Sequence, residues 1–532
     1  MSLFTATTSS LRPNNFIIRQ FAGTAPPGKV ASVTSTPTAY YIDSGSGNDS
    51  NNGLSPATAW KTIDKINNST FIPGTQILFK RNQRWRETLK VPSSGSSGSY
   101  IMFSAYGAGD NPVIDGSTIY TDWNSYSASI WRRSGGPTQI FENNVRMRKA
   151  TSVANMTSGS WYGSSSNQMF IWALDSGNPN SGHNIEVSQD WGTAGHAGSA
   201  IDMNGKSCLI FDSVNVIKSQ NSGYQASNTQ GTSNIIVRNC ETSWNGGRGL
   251  LVHGVTSPPQ IHYNHNIFNV ISHDNIGEGF WMAGYNHFVD HCEAYNCDKD
   301  YTLGYPTNGY GGGFLIWSSD NVTVQNCYVH DCYVENPFMV EFENIGELRP
   351  TNTKFYNNVV WQNVVSSGDN PGFRLAGDGT LLVRNIVIGT SASINNGFAL
   401  HFDNGGKNQK WYHGTIYGSF QTALVAWGND TGINNDFKNN IIYRTTAGGI
   451  LWTGTSLLSG GVSDYNCFMP GLPSGGYFFE WNNDTQFPNS LANWQSTSGV
   501  DAHSINSNPL FINAMPAPSG NFTLSSTSPC IS

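Results

Sequence analysis

Short runs of alternating apolar and polar residues recur through the middle of the chain, and eight of them are near-copies: GLLVHG from Gly249, GFWMAG from Gly279, GFLIWS from Gly313, PFMVEF from Pro337, GFRLAG from Gly372, GFALHF from Gly397, TALVAW from Thr422 and GILWTG from Gly449. Their starts lie 24 to 35 residues apart. A second alternating element recurs between them, as NIIVRNC from Asn234, NHFVDHC from Asn286, NVTVQNC from Asn321 and TLLVRNI from Thr380. Alternation with a period of two is the mark of a strand, and no helical spacing of apolar residues intervenes. One repeat is therefore strand, turn, strand, turn. A repeat of this length built from strands predicts a solenoid whose coils stack by parallel pairing. The expected fold is all-β: a right-handed parallel β-helix with a short N-terminal capping helix.

The pattern also divides the chain. Residues 1–38 are rich in Ser, Thr and Pro and carry no periodicity, which suits an arm or attachment segment. Residues 39–116 hold a first strand, an Asn- and Gly-rich loop, an amphipathic helix over about Ala57 to Ile66 with Trp60, Ile63 and Ile66 on one face, and the strands of the first coils. Residues 117–198 break the rhythm and read as an insertion with hairpins, QMFIWAL from Gln168 among them. The regular stack is expected over residues 199–457, and a looser closing segment over 458–532.

Composition sharpens this picture. Glycine makes up 58 of 532 residues and charged residues only 12%, about half the share of an ordinary globular domain, as a chain of strands and turns requires. The net charge of −7 argues against a nucleic-acid partner. Arg132-Arg133 and Arg146 to Lys149 are the basic clusters, read as solvated turns of the insertion. No apolar run is long enough to cross a bilayer, and the first residues lack the apolar core of a secretory signal. Cys240, Cys292 and Cys327 fall at one repeat position and Cys297 and Cys332 at another, so they are expected to stack as buried free thiols.

The segments flanking the repeats resemble the pectate-lyase-like right-handed β-helix proteins. The residues are Gly47-Asn48-Asp49, Gly53, Ser55-Pro56, Thr62-Ile63, Pro73-Gly74, Ile77-Leu78-Phe79, Ala105-Tyr106-Gly107 and Val113-Ile114-Asp115-Gly116, with Asn508-Pro509-Leu510-Phe511 and Ser528-Pro529-Cys530 near the end. The resemblance implies the fold over most of residues 40–532. It leaves the activity open among lyases, glycoside hydrolases, phage tailspikes and proteins that only bind. Members of that superfamily usually continue beyond the Ser-Pro-Cys segment, so the last coil is expected to be completed by another chain or lost by shortening.

Aligning the copies separates inward from outward columns. Phe280, Phe314, Phe338, Phe373 and Phe398 form one inward stack. The outward columns gather His253, Trp281, Trp317, Glu341, Arg374 and His401, and Glu343 and Asp403 lie just past the strand ends. Flat rings beside carboxylates and a guanidinium make a sugar site, with His253, Trp281 and Trp317 binding substrate. Glycoside hydrolysis would use Glu343 and Asp403, two coils and so about 10 Å apart, which suits inversion. A lyase would use Arg374 to neutralise a uronate and His401 as base, with Glu341 positioning substrate or holding a calcium ion. Glu278 and Arg248 occupy matching turns and are expected to pair, and the loop from Asp298 to Gly312 is expected to wall a groove. No cofactor is required; a calcium ion is admitted in the loop with Asp43 and Asp49.

The function expected is binding and degradation of a bacterial surface polysaccharide by a homotrimeric tailspike-type depolymerase, held in a virion tail or baseplate through residues 1–38. The alternatives are a secreted bacterial polysaccharide lyase and a non-catalytic glycan-binding or structural virion protein.

Overall fold

The computed structural model describes residues 38–531 apart from 165–166, 189–197, 227–230, 254–261, 298–302, 306–311, 333–335, 343–348, 363–371, 390–397, 403–405, 421, 427–433, 445–448, 454–459, 470–478, 482–484, 488–490 and 515–519. The attachment arm, Glu343 and Asp403 lie outside the described residues. The chain divides into two compact units, one of Ala31–Val322 with Cys332–Leu348, the other of Thr323–Asp331 with Arg349–Ser532.

In the first unit each coil gives one strand to each of three parallel sheets. The first sheet runs Ala39–Ile42, Gln76–Lys80, Ile101–Tyr106, Leu209–Asp212, Ile235–Arg238, Asn266–Phe268 and Phe288–Asp290. The second contains Val113–Asp115, Asn215–Ile217, Glu241–Ser243, Ile271–His273 and Glu293–Tyr295. The third contains Ile201–Asp202, Tyr224–Gln225, Leu250–Val252, Phe280–Tyr285, Phe314–Asp320 and Phe338–Glu341. The second unit repeats the scheme, from Thr323–Gln325 to Val462–Asp464 in the first sheet and from Tyr328–His330 to Ile505–Asn506 in the second. Three parallel sheets wound coil upon coil are a right-handed parallel β-helix. Parallel pairing is already present among the first coils, where Gln76–Lys80 pairs with Ile101–Tyr106, and it continues past residue 457, where Cys467–Met469 pairs with Ile505–Asn506.

The recurring Asn residues explain how the corners are made. Asn234, Asn239, Asn264 and Asn269 all have positive φ, a backbone region that Asn tolerates better than most residues. Their amides then bond coil to coil, Asn264 Nδ2 to Asn234 Oδ1 at 3.2 Å and Asn269 Nδ2 to Asn239 Oδ1 at 2.9 Å. A buried ladder runs parallel to these, with Asn275 Oδ1 accepting from Asn245 Nδ2 at 2.8 Å and from the Asn245 backbone N–H at 3.1 Å. The glycine that precedes Leu250–Val252 answers a crowded corner: a Cβ on Gly249 would sit 2.0 Å from Ser272 Oγ and 2.7 Å from the Gly279 carbonyl oxygen.

Inside the first unit Phe280, Phe314 and Phe338 stack face to face, with centroids 4.5 and 5.1 Å apart. The expected Phe stack changes in the second unit, where Phe373 pairs with Leu400 and Phe398 with Thr422. The cysteines are free, and Val270 occupies the coil between Cys240 and Cys292. The capping helix is shorter than expected: a single turn of 3-10 helix spans Pro56–Thr58, Trp60 forms a parallel bridge with Ile42, and the α-helix covers only Ile63–Asn67. Ile63 and Ile66 are fully buried beneath it.

Residues 117–188 leave the coils as two antiparallel sheets. One is built from Ser117–Ile119, Gln139–Glu142, Val145–Arg146 and Ile185–Ser188; the other from Asn124–Ser125, Trp131–Ser134, Arg148–Lys149, Ser160–Gly163 and Gln168–Trp172, in which Arg148–Lys149 alone pairs in parallel. Their facing sides share a core of Ile140, Met147, Trp161, Met169, Ile171 and Val187, which also takes in Ile276 and Tyr305. Arg146 is not a solvated turn residue. It is 5% exposed, lies against Phe141, Trp244 and Tyr305, and burial lowers its pKa to about 10. Tyr305, the described end of the loop expected to wall a groove, is likewise an anchor: its hydroxyl accepts from Trp161 Nε1 at 2.8 Å and donates to the Met147 carbonyl at 2.9 Å.

Candidate functional site

The outward side of the third sheet in the first unit keeps the register that alternation predicted. Leu251 pairs with Trp281, Trp281 with Leu315 and Leu315 with Met339; one column over, Ala283 pairs with Trp317 and Trp317 with Glu341. All of these except Glu341 make one apolar cluster. Trp281 and Trp317 have centroids 5.5 Å apart, and the His253 ring lies 4.8 Å from Trp281. Arg248 completes the group, its guanidinium 4.4 Å from the Trp281 ring centroid and its Nε 2.8 Å from Glu278 Oε2. The ion pair expected between matching turns is therefore present, and it also seats a cation on the tryptophan.

The surroundings differ from the solvated face that was expected. Trp281 is 7%, Trp317 4% and Glu341 5% exposed. Parallel sheets are commonly covered on both faces, and Leu, Met and Trp in the outward column make that side as apolar as the inward one. Glu341 is a buried carboxylate at the polar end of an apolar strip, where its Oε1 accepts the Phe342 N–H at 3.0 Å.

A bulge sits beside this strip. The strand Phe314–Asp320 carries one residue more than Phe280–Tyr285, so that Trp317 faces Ala283 while Ser319 faces Gly284. The extra residue, Ser318, has φ 41°. Bulges of this kind kink a strand and turn side chains out of the regular pleat. Behind the bulge lies a group that the sequence pattern missed, the buried imidazoles of His262, His265 and His287 with Thr232. Thr232 Oγ1 reaches His262 Nδ1 at 2.9 Å and His265 Nε2 at 3.0 Å, and His287 Nε2 donates to the Ala283 carbonyl at 2.9 Å. Burial, aided by neighbouring imidazoles, pushes His262 down to about 3; burial alone takes His287 down to about 4 against its bond to Ala283.

In the second unit Arg374 and His401 are direct partners on adjacent parallel strands. The alignment of the copies had placed His401 opposite Ala376, two residues along. His401 is 4% exposed. In the loop where a calcium ion is admitted, Asp43 accepts from Lys80 Nζ, Ser46 Oγ and the Gly45 and Ser46 N–H groups, while Asp49 accepts from Lys61 N, Thr62 N and Thr62 Oγ1. Both carboxylates thus serve as caps for the loop and the helix start.

This architecture is the right-handed parallel β-helix. Among solved structures, XylC in complex with xylose is similar in fold, with a TM-score of 0.59 at 12% identity over 84% of this chain and 86% of that one. Pectate lyase Pel9A is similar at a TM-score of 0.39 and 14% identity, over 94% of this chain and 92% of that one. In sequence, 101 residues are 36% identical to the lacto-N-biosidase of Bifidobacterium longum subsp. longum, which is 18% of this chain and 6% of that protein's length. No family model matches the chain.

Proposed function

We propose that this chain is a carbohydrate-active enzyme that cleaves a glycan at the outward side of its third sheet. The observation that carries the reading is the Trp281, Trp317 and Glu341 strip, in which two tryptophans in contact lead to a buried carboxylate. Tryptophan faces pack on the C–H side of pyranose rings, and a carboxyl beside them can donate a proton to the glycosidic oxygen. Hydrolysis needs a second carboxylate as base or nucleophile, for which the sequence offers Glu343 in the same unit. The short match to a lacto-N-biosidase and the fold likeness to a protein holding xylose support a sugar ligand.

A second reading, β-elimination from a uronate, is favoured by the register of Arg374 on His401, which places a guanidinium and an imidazole on neighbouring strands about 4.8 Å apart. The setting of a homotrimeric phage tailspike belongs to the same proposal, supported by the unpatterned arm and the acidic β-helix.

The test is a screen of the purified chain against bacterial and plant glycans, reading both new reducing ends and the absorbance of unsaturated uronates. Glu341→Gln is expected to abolish the first signal while Arg374→Ala and His401→Gln leave it. Loss of an unsaturated-uronate signal in Arg374→Ala and His401→Gln, with Glu341→Gln still active, would replace the hydrolase by the lyase. Full activity in all three variants would remove the site.

A further inference from the structure

The insertion carries a second surface that the third-sheet site does not use. In the sheet containing Trp131–Ser134, Ser160–Gly163 and Gln168–Trp172, Tyr162 pairs with Phe170, Phe170 with Arg132, and Ser160 with Trp172. Directly opposed residues in antiparallel strands point to the same side. That side is opposite the one bearing Trp161, Met169 and Ile171, which is buried in the core of the insertion. This other side is aromatic and partly closed: Phe170, 8% exposed, packs there with Ile130, Ala150 and Met156, with Tyr162 and Trp172 against them, while Tyr126 and Arg132 stay exposed beside that cluster. Tyr126 meets Phe170 edge to face at 5.0 Å, Tyr162 lies parallel to Phe170 at 6.1 Å, and Trp172 flanks them; Tyr126 is 49% exposed and Tyr162 and Trp172 are half-buried.

The charge on this side runs against that of the chain. Arg132 is exposed and lies 5.6 Å over the Tyr126 ring, and Arg148 bonds only to the Asn155 carbonyl oxygen. Among the described residues neither guanidinium meets a carboxylate, whereas Arg133, on the other side of the sheet, is paired with Asp122. Two unpaired guanidinium groups beside a row of rings, on a protein of net charge −7, are complementary to a carboxylate-bearing sugar chain: rings for the pyranose faces, planar forks for the uronate carboxylates.

We infer that the exposed part of this side, around Tyr126, Arg132 and the rims of Tyr162 and Trp172, is an accessory binding platform for a uronate-bearing polysaccharide, separate from the third-sheet site and independent of any cleavage there. Retaining a polymer on the insertion raises the local concentration of its segments along the β-helix.

The experiment is native gel retardation and calorimetry of the full chain with polygalacturonate and alginate, with dextran as the neutral control. Binding to a uronate polymer is expected to weaken at least about tenfold in Tyr126→Ala and further in Arg132→Glu, to be retained in Arg132→Lys, and to fall as salt screens the guanidinium groups. Tyr126→Ala and Arg132→Glu should leave cleavage of short oligosaccharides unchanged, so failure of the proposed cleavage and failure of the platform are read separately. Equal retention by dextran, no binding to either uronate polymer, or unchanged binding in a Tyr126→Ala/Arg132→Glu double variant would each overturn the inference. Both substituted side chains are exposed, and an unchanged melting temperature confirms that the variants are folded.

Discussion

Lowering the pH from 7 to 5 should weaken the first unit through three histidines that the fold holds neutral. His262, His265 and His287 are at most 1% exposed. The bonds fix their neutral form: His287 accepts the His265 N–H on Nδ1 and donates to the Ala283 carbonyl from Nε2, leaving no acceptor for a further proton's charge. His262 is pushed down to about 3 and His287 to about 4, and His265 is driven in the same direction. A folded pKa below the unfolded value of about 6.5 means that the unfolded chain takes up protons first, so stability is intact above about pH 6.5 and falls below it. At pH 5 each group lies about 1.5 units below the unfolded pKa, a loss of about 2 kcal/mol, and the two with stated values together lose about 4 kcal/mol. His273 opposes this weakly, returning roughly 1 kcal/mol over the same interval. Carboxylates held low, such as Asp43, begin to contribute only below about pH 4. The assay is the urea midpoint of the full chain at pH 7 and pH 5, compared with His262→Gln and His287→Gln. A midpoint that drops with acid in the parent but less in the variants is expected. An identical pH dependence in parent and variants would refute the argument, as would an imidazolium signal from these residues at pH 6 by NMR.

Other outcomes follow from single contacts. Arg248→Ala leaves the fully buried Glu278 without its partner and should cost about 3–5 kcal/mol in chemical denaturation, with Arg248→Lys in between; an unchanged midpoint would deny the pair its role. Asn275→Ala removes a rung of the buried amide ladder and should cost about 1–3 kcal/mol, read as a lower melting temperature. His273 is depressed by burial, yet the carboxylates of Asp274 and Glu241 outweigh this and hold it up to about 9, so its contribution is full below about pH 6.5 and lost as the pH rises through 9. Between pH 7 and 9 that loss is about 2 kcal/mol, and Asp274→Asn should remove most of it from the pH profile of the melting temperature.

How much of this was legible in the sequence depended on parity. The columns through Leu251, Trp281, Leu315 and Met339 were readable because equal repeats preserve a period of two. The register of Phe373 on Leu400, by contrast, differs from the aligned one by two residues, and a slip of two keeps every side chain on its own face, so alternation cannot detect it. A slip of one separates Thr422 from its aligned position, and there the pattern TALVA was too evenly apolar to choose a face. Histidine and arginine escaped for another reason. Arg146 reads as a polar turn residue and His262, His265 and His287 give no signal of their own, so only the packing of corners and insertion shows that they are enclosed.

The burial of the outward side changes what Glu341 can be doing. Had it been a solvated rim carboxylate, its removal would leave stability alone because exposed charges contribute little. At 5% exposure, at the end of a strip of Leu, Met and Trp, an ionised carboxylate instead carries a desolvation cost of several kcal/mol. The neighbouring positions show what the sheet prefers there, since Trp317 and Ala283 occupy the same column in the two preceding coils. On the proposed function Glu341 is a carboxylate kept for chemistry where an apolar residue otherwise packs, and Glu341→Gln should abolish cleavage with little change in the melting temperature. A variant that loses activity and melts markedly lower would make Glu341 a structural partner in an ion pair, and the catalytic carboxylate would have to be sought elsewhere on the sheet.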